Sequence, residues 1–169
     1  YHNRDDLTAQ HFLPASGGHL GSRVYRTGDL GRVRPDGRIE FLGRDRELLV
    51  PAEADLRHAR NALEDGEYEW ACFAAQQSAV KAVKAVIQAL GGEGWGHSVT
   101  ILLGSLAERS DVPEELLDAG RRLDKHYIPA RYPNGFDAGA PTDYYTRAEA
   151  EAAVRDADAI LGFSHGEVG

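Results

Sequence analysis

The sequence predicts a mainly α-helical chain: an antiparallel bundle of about five helices, preceded by a small β-hairpin-rich segment. Three observations predict it. From about residue 53 onward, apolar residues recur at helical spacing. Gly and Pro clusters cut that region into five stretches. Before residue 47 the pattern alternates instead and carries an Asp-Gly turn signal. Charge marks the same division. Residues 1–47 hold eight Arg, no Lys and seven acidic residues, a net +1, whereas residues 48–169 hold eight Arg and three Lys against twenty acidic residues, a net −9. The organisation read from these facts is a first segment, 1–47, and a helical second segment, 48–169.

In the first segment, a short helix is expected at Thr8–Phe12, and Pro14–Gly18 is a turn cluster. Arg23–Thr27 is β-branched and aromatic and reads as a strand, broken at Thr27-Gly28-Asp29. Gly31–Arg34 leads into Pro35-Asp36-Gly37, a hairpin turn, and Arg38–Leu42 alternates as a half-buried strand does. Forty-seven such residues bury too little surface to be secure alone.

In the second segment, a helix is expected from about Glu53 to Asp65, stopped by Gly66. The next runs from about Glu67 to Leu90. Its stripe of Phe73, Ala74, Gln77, Val80, Lys81, Lys84, Ile87 and Leu90 ends at Gly91-Gly92. Ser98 caps a third through Ala107. Asp111, Pro113 and Glu114 open a fourth, from Pro113 to about Tyr127, closed by Pro129 and Pro133. Thr146-x-x-Glu149 is a capping box for a fifth, from about Arg147 to Phe163. Short links between such helices imply an up-down bundle.

Composition excludes several classes. The 169 residues include one Cys and no Met. A lone Cys72 permits neither an internal disulfide framework nor a Cys-rich zinc site. Asp156 and Asp158, two apart, point to different helix faces, and no metal is expected. No apolar run approaches the roughly 18 residues of a membrane span, and no secretory leader opens the chain. The expectation is a cytoplasmic protein without a membrane partner. The missing Met predicts a chain cut from something longer. The net charge of −8 opposes generic duplex-DNA binding.

The motifs carry more information. Tyr25-Arg26-Thr27-Gly28-Asp29-Leu30, then Pro35-Asp36-Gly37-Arg38-Ile39-Glu40-Phe41-Leu42-Gly43-Arg44, resemble core motifs of nonribosomal peptide synthetase adenylation domains. Tyr1–Arg4 and Leu7-Thr8-Ala9-x-x-Phe12 resemble the run upstream. The likeness covers residues 1–46 and implies the small β-subdomain ending the large adenylation lobe. It also implies that Asp29 accepts hydrogen bonds from the ATP ribose hydroxyls, with two oxygens for two donors, and that Arg44 holds the ribose or phosphate side. The family's catalytic Lys lobe and its phosphate-gripping loop have no counterpart here. The chain alone is therefore not expected to adenylate, and ATP is expected only if the lobe is completed elsewhere; no cofactor is otherwise required.

Residues 52–164 resemble HEPN domains. The likeness rests on Gly66-x-Tyr68-x-x-Ala71-x-Phe73, on Gln76-Gln77-x-x-x-Lys81-x-x-Lys84-Ala85, on Gly96-His97-Ser98, and on Leu123-Asp124-x-x-Tyr127-Ile128-Pro129-x-Arg131-Tyr132-Pro133. Val80 stands where members often carry Glu. The resemblance implies a dimerising bundle. Some members are metal-independent RNases, some pair with small nucleotidyltransferases, and many are non-catalytic binding modules. The RNases use an Arg and a His four to six residues apart: a base for the ribose 2′-hydroxyl and a cation for the phosphorane charge. Arg121 and His126 have that spacing, although Arg122 replaces the polar residue that often follows. The plainer assignment makes Arg121 a solvated helix residue and His126 a residue favoured by a helix C-terminus.

Gln77, Lys81, Lys84, His97, Asp124, Tyr127 and Arg131 form a candidate polar groove. Lys81 and Lys84 lie on neighbouring positions of one helix face and, with Arg131, suit an anion; they suit the surplus carboxylates equally. Gln76-Gln77 reads as a helix–helix hydrogen-bond pair or a dimer contact. Trp70, Trp95, Tyr144 and Tyr145 read as packing residues. The favoured function is a segment of a nonribosomal peptide synthetase-like protein whose HEPN bundle is a non-catalytic interaction and nucleotide- or RNA-binding module. Its expected partners are a second copy, a synthetase module or nucleotidyltransferase, and RNA or a nucleotide. The alternatives are an endoribonuclease using Arg121 and His126, and an adenylation remnant contributing Asp29 and Arg44 to an ATP site.

Overall fold

The structure is a computed structural model that describes residues 12–14, 23–25, 29–33, 37–44 and 48–168, apart from 133 and 135. The chain divides into two compact units, Tyr1–Asp45 and Arg46–Gly169.

The first unit contains two antiparallel strand pairs. β1 (Phe12–Pro14) pairs with β2 (Arg23–Tyr25). β3 (Asp29–Val33) pairs with β4 (Ile39–Arg44), with an irregularity between Leu30 and Gly31. Gly37 in the β3–β4 connection has φ 80°, the left-handed conformation that glycine adopts without cost. Phe12 lies in a strand rather than ending a helix, and residues 8–11 fall outside the described residues. The strand begun at Arg23 ends at Tyr25 and Asp29 opens the next one, where its backbone has a pairing partner in Arg44.

The second unit is a bundle of five helices: α1 (Val50–Asp65), α2 (Tyr68–Ala89), α3 (Val99–Ala107), α4 (Glu114–Asp124) and α5 (Arg147–Val168). α1 starts three residues earlier than the apolar pattern suggests, because Pro51 occupies the first turn, where its missing N–H costs nothing. Gly66 ends α1 at φ 84°, donating its N–H to the carbonyls of the last turn. Only Gly66 and Glu67 separate α1 from α2, so the chain must reverse and the two helices lie side by side.

α2 is the central element, packed against α1, α3 and α5. Its buried face is rich in alanine: Ala71, Ala74, Ala75, Ala79, Ala82 and Ala85. α1 answers with Ala52, Ala59 and Ala62, and α5 with Ala150, Ala153 and Ala157. Small side chains let these helices approach closely, and larger ones fill what remains. Leu49, Leu56, Val83, Val86, Leu103, Leu106, Leu123 and Ile160 do so, each almost wholly removed from water. Gly120 is buried where α4 crosses α3; a Cβ there would meet Val99 Cγ1 at 3.3 Å and the Thr100 nitrogen at 3.3 Å.

Side-chain caps hold the starts of α3, at Ser98, and α5, whereas α4 starts after Pro113 without the side-chain cap expected around Asp111, its first turn resting on the backbone. Thr146 and Glu149 form a reciprocal box at the start of α5: Glu149 N–H donates to Thr146 Oγ1 (3.3 Å) and Thr146 N–H to Glu149 Oε2 (2.9 Å). α4 ends at Asp124, three residues sooner than Tyr127. Residues 125–131 continue as tight turns held by Tyr127 N–H to the Asp124 carbonyl (3.3 Å) and Arg131 N–H to the Ile128 carbonyl (3.1 Å). α5 runs on past Phe163 to Val168, whose side chain is buried in the core. Trp95 is not a packing residue; it is 79% exposed. Tyr144 stacks on Phe136, and Tyr145 packs at the core's edge. Among the described residues no helix is long and apolar enough to cross a membrane.

Candidate ligand-binding site

The polar residues of the bundle collect around the N-terminal half of α2, the loop into α3 and the turns after α4. α3 begins at Ser98, whose Oγ accepts from Ile101 N–H (3.2 Å). Asp124 at the end of α4 reaches the same terminus. Its carboxylate accepts from Ser98 Oγ–H (2.7 Å), Val99 N–H (2.7 Å) and Thr100 N–H (3.0 Å). The free amides of a helix's first turn favour an anion, and this chain supplies one from within. Asp124 thus ties α4 to α3, and its hydrogen bonds are taken up there.

A layered stack stands beside it. The His97 imidazole lies on the Tyr127 ring, centroids 5.2 Å apart and planes 16° apart. The Arg131 guanidinium carbon is 4.6 Å from the Tyr127 ring centre and 4.7 Å from that of Phe73, with Tyr132 at 5.2 Å. Arg131 Nε donates to the Tyr127 carbonyl (3.0 Å), which fixes the plane of the guanidinium. Among the described residues no carboxylate pairs with it. A stacked guanidinium keeps its outer N–H donors free for a phosphate or carboxylate.

Under the stack runs a hydrogen-bond relay. Gln76, fully buried, donates its amide N–H to the His97 carbonyl (2.7 Å), and Gln77 donates to Gln76 Oε1 (2.6 Å). The pair therefore secures the loop before α3; it does not link two helices side to side.

A cavity of about 280 Å³ opens between α1 and α2, lined by Asp55, His58, Trp70, Phe73, Ala74, Gln77 and Lys81. Trp70 and Phe73 meet edge to face, centroids 6.2 Å apart. Lys81 Nζ lies 2.5 Å from Asp55 Oδ2. The approach is off the donor axis, so this buried oxygen has its charge balanced without a directed hydrogen bond. A second, smaller cavity of about 50 Å³ beside Ile87 and Arg109 has room for little more than water.

The sequence-predicted groove is thus divided. His97, Tyr127 and Arg131 meet in the stack, Gln77 and Lys81 line the cavity, and Phe73 belongs to both. Asp124 caps a helix. Lys84 packs its stem against the loop at Gly94, where a Cβ would meet Lys84 Cγ at 3.0 Å. Lys81, Lys84 and Arg131 occupy three separate settings rather than one anion groove.

Arg121 and His126 point to different surroundings. Arg121 is exposed and ion-paired to Asp118 and to Glu114 (3.6 Å) on its own helix; the Asp118 hydrogen bond raises its pKa. Arg122 pairs with Asp156 through both Nε (2.7 Å) and Nη2 (2.8 Å), while Asp158 pairs with Arg60. His126 is half-buried beside Tyr145, Nδ1 to hydroxyl 3.4 Å. Burial lowers its pKa, and Lys125 adds to that against the opposing Glu149 and Asp156. No hydrogen bond joins Arg121 to His126 among the described residues. Asp29 and Arg44 are register partners across β3 and β4.

Sequence reading missed Asp55, His58, Trp70 and Phe73 as cavity walls. Trp70, Phe73, Gln77 and Lys81 fall at i, i+3, i+7 and i+11, so one stripe of α2 was legible. Asp55 and His58 were not, since only packing brings α1 to that stripe. No group of His, Cys, Asp or Glu with metal-binding geometry occurs among the described residues.

Comparison with known proteins agrees with this architecture. The family model for the HEPN domain matches residues 46–167. The crystal structure of TT1696 from Thermus thermophilus matches with a TM-score of 0.70 and 48% identity, over 73% of this chain and 97% of that one. ST0689, an archaeal HEPN homologue, matches with a TM-score of 0.64 and 39% identity, over 76% of this chain and 100% of that one. The chain is also similar to nonribosomal peptide synthetases across much of its length. It is 51% identical over 69 residues to phosphinothricin tripeptide synthetase PhsB of Streptomyces viridochromogenes, 41% of this chain and 5% of that protein. It is 36% identical over 133 residues to a linear gramicidin synthase polypeptide of Brevibacillus parabrevis, 78% of this chain. The chain spans only 5% and 2% of those two synthetases. By the match over its helical unit, this chain belongs to the HEPN domain family.

Proposed function

We propose that the bundle is a non-catalytic module of a nonribosomal peptide synthetase-like protein that binds a nucleotide or RNA. The Arg131 stack carries this reading. A cation held between Phe73 and Tyr127, with its outer donors free of carboxylates, suits a phosphate beside an aromatic base. The acidic remainder of the chain repels loosely held polyanions, so a ligand must be held at this one place. Arg121, exposed and ion-paired to Glu114 and Asp118 on its own helix rather than to His126, supports binding without cleavage.

The test is fluorescence anisotropy of a labelled single-stranded RNA dodecamer in EDTA, with the RNA examined afterwards on a gel. Wild type is expected to bind and leave the RNA intact, and Arg131→Gln to bind about ten-fold more weakly, the loss of a charge-assisted contact. RNA cleavage that disappears in His126→Ala would make the chain an endoribonuclease instead. The same reading includes association of the bundle with a second copy, checked by sedimentation against the 18.4 kDa of one chain.

The register of Asp29 opposite Arg44 favours a second role for the first unit. The two residues are backbone partners in one hairpin within the adenylation-like motifs, whose resemblance implies an ATP-ribose contact in a lobe completed elsewhere. ATP binding after addition of the missing lobes measures this. Unchanged binding in Asp29→Ala sinks it.

A further inference from the structure

The cavity between α1 and α2 has charge of both signs and two aromatic rings among its lining residues. Lys81 Nζ lies 2.5 Å from Asp55 Oδ2 and occupies that oxygen. An ammonium has three N–H donors and a carboxylate two oxygens, so this contact exhausts neither group. Asp55 Oδ1 takes no hydrogen bond from any described residue, and both side chains keep access to solvent, 41% for Lys81 and 25% for Asp55. Gln77 gives one amide N–H to Gln76 and keeps its second N–H and its oxygen. His58, one turn along α1 from Asp55, adds an imidazole at the exposed rim. Trp70 and Phe73 meet at 80°, so a flat group laid on one ring meets the edge of the other.

A ligand with a single charge would meet one member of this ion pair with the wrong sign. An uncharged ligand would gain only ordinary hydrogen bonds from it. A zwitterion uses both members: its anionic end faces Lys81 while its cationic end faces Asp55, so that four charges alternate in sign. In an α-amino acid those two ends are separated by a single carbon, with bonds of about 1.5 Å to each. That spacing suits a lysine and a carboxylate already in contact. The two rings require the rest of the ligand to be flat and apolar. From this geometry we infer that the cavity binds a free aromatic α-amino acid. Its carboxylate faces Lys81 and His58, its ammonium faces Asp55 Oδ1 and Gln77 Oε1, and its ring lies against Trp70 and Phe73. At about 280 Å³ the cavity lies just below the ~300–1,000 Å³ of drug-sized sites and holds one amino acid rather than a peptide. This site goes beyond the nucleotide-binding reading above and uses none of the donors of Arg131. Phe73 makes the two sites neighbours, since its ring walls the cavity and also underlies Arg131.

The test compares L-phenylalanine with phenethylamine, which lacks the carboxylate, and with 3-phenylpropionate, which lacks the ammonium. The full chain carrying Trp95→Phe leaves Trp70 as its single tryptophan reporter; Trp95 is exposed, so its loss spares the core. The three ligands are titrated separately at neutral pH while Trp70 fluorescence is followed. L-Phenylalanine is expected to bind about ten-fold or more tightly than either analogue, each of which loses one charge-assisted contact. Asp55→Asn combined with Lys81→Gln removes both charges together and leaves neither one unpaired. That double variant is expected to keep its helical circular dichroism and to bind all three ligands with similar affinity. Equal affinity of the unaltered cavity for L-phenylalanine and either analogue overturns the proposal, whether or not the double variant folds. An advantage for L-phenylalanine that survives in the folded double variant also overturns it. So does a Trp70 signal that none of the three ligands changes.

Discussion

At the scale of single residues, burial decides what a side chain does more than its type. His126 and His97 are both imidazoles near helix ends. His97 is exposed and serves as the outer layer of a stack, whereas His126 is half-buried against Tyr145. Burial lowers the His126 pKa from its ordinary 6.5. The unfolded chain then binds a proton more readily than the folded one. The stabilisation from neutral His126 is complete above the ordinary value and is lost as the pH falls from there through the lowered folded value. His126→Gln is therefore expected to melt below wild type at about pH 7.5, with the gap closing toward about pH 5. A gap that stays constant across that range rules the assignment out. Cys72 shows the same principle: burial first, then Glu149 and Glu69, pushes its thiol up to about 12, so it is inert at neutral pH.

Among the elements, α3 is the one that depends most on a neighbour. It has nine residues, too few to persist alone in water. Its first turn is held by Ser98 locally and by Asp124 from α4. Asp124→Ala removes three hydrogen bonds and the compensating charge, and is expected to cost about 2 kcal/mol in urea unfolding. Asp124→Asn keeps one acceptor oxygen and is expected to cost about half that. Equal midpoints for wild type and Asp124→Ala would show that the cap contributes nothing. The spacing of Ser98 revealed the local cap in advance. Nothing in sequence spacing revealed that a carboxylate 26 residues later completes it.

For the whole molecule, every buried core residue described lies between Leu49 and Val168. A chain beginning at Arg46 is accordingly expected to keep its full helical signal and a single cooperative transition by circular dichroism. Loss of cooperativity would show that the helical unit lacks a sufficient core of its own.

The existence of the five helices, several of their stops and two local caps were determined by the sequence alone. Those features arise within a few residues of one another: Gly66 and Gly91 at positive φ, and the Thr146–Glu149 box. The expected stripe of α2 is only partly its buried face: Ala74, Val80 and Ile87 are buried, but Leu90 is exposed and the core takes the alanines and valines beside them. The end of α4 was less legible, because Lys125 to Tyr127, ahead of Pro129, are compatible with helix while their backbone is held in turns. The motifs of residues 52–164 likewise identified the family before any packing was known. Tertiary structure decided which polar residues act together. It committed Asp124 to a cap, set Arg121 apart from His126, and neutralised Lys81 with Asp55 from another helix. It also placed Arg131 between two rings, Phe73 and Tyr127, that lie on separate elements far apart in sequence. Partners across helices depend on the packing of alanine faces that any register of small residues would permit on paper. Only the assembled core, with Leu103, Leu123 and Ile160 filling what the alanines leave, selects one arrangement and thereby the site.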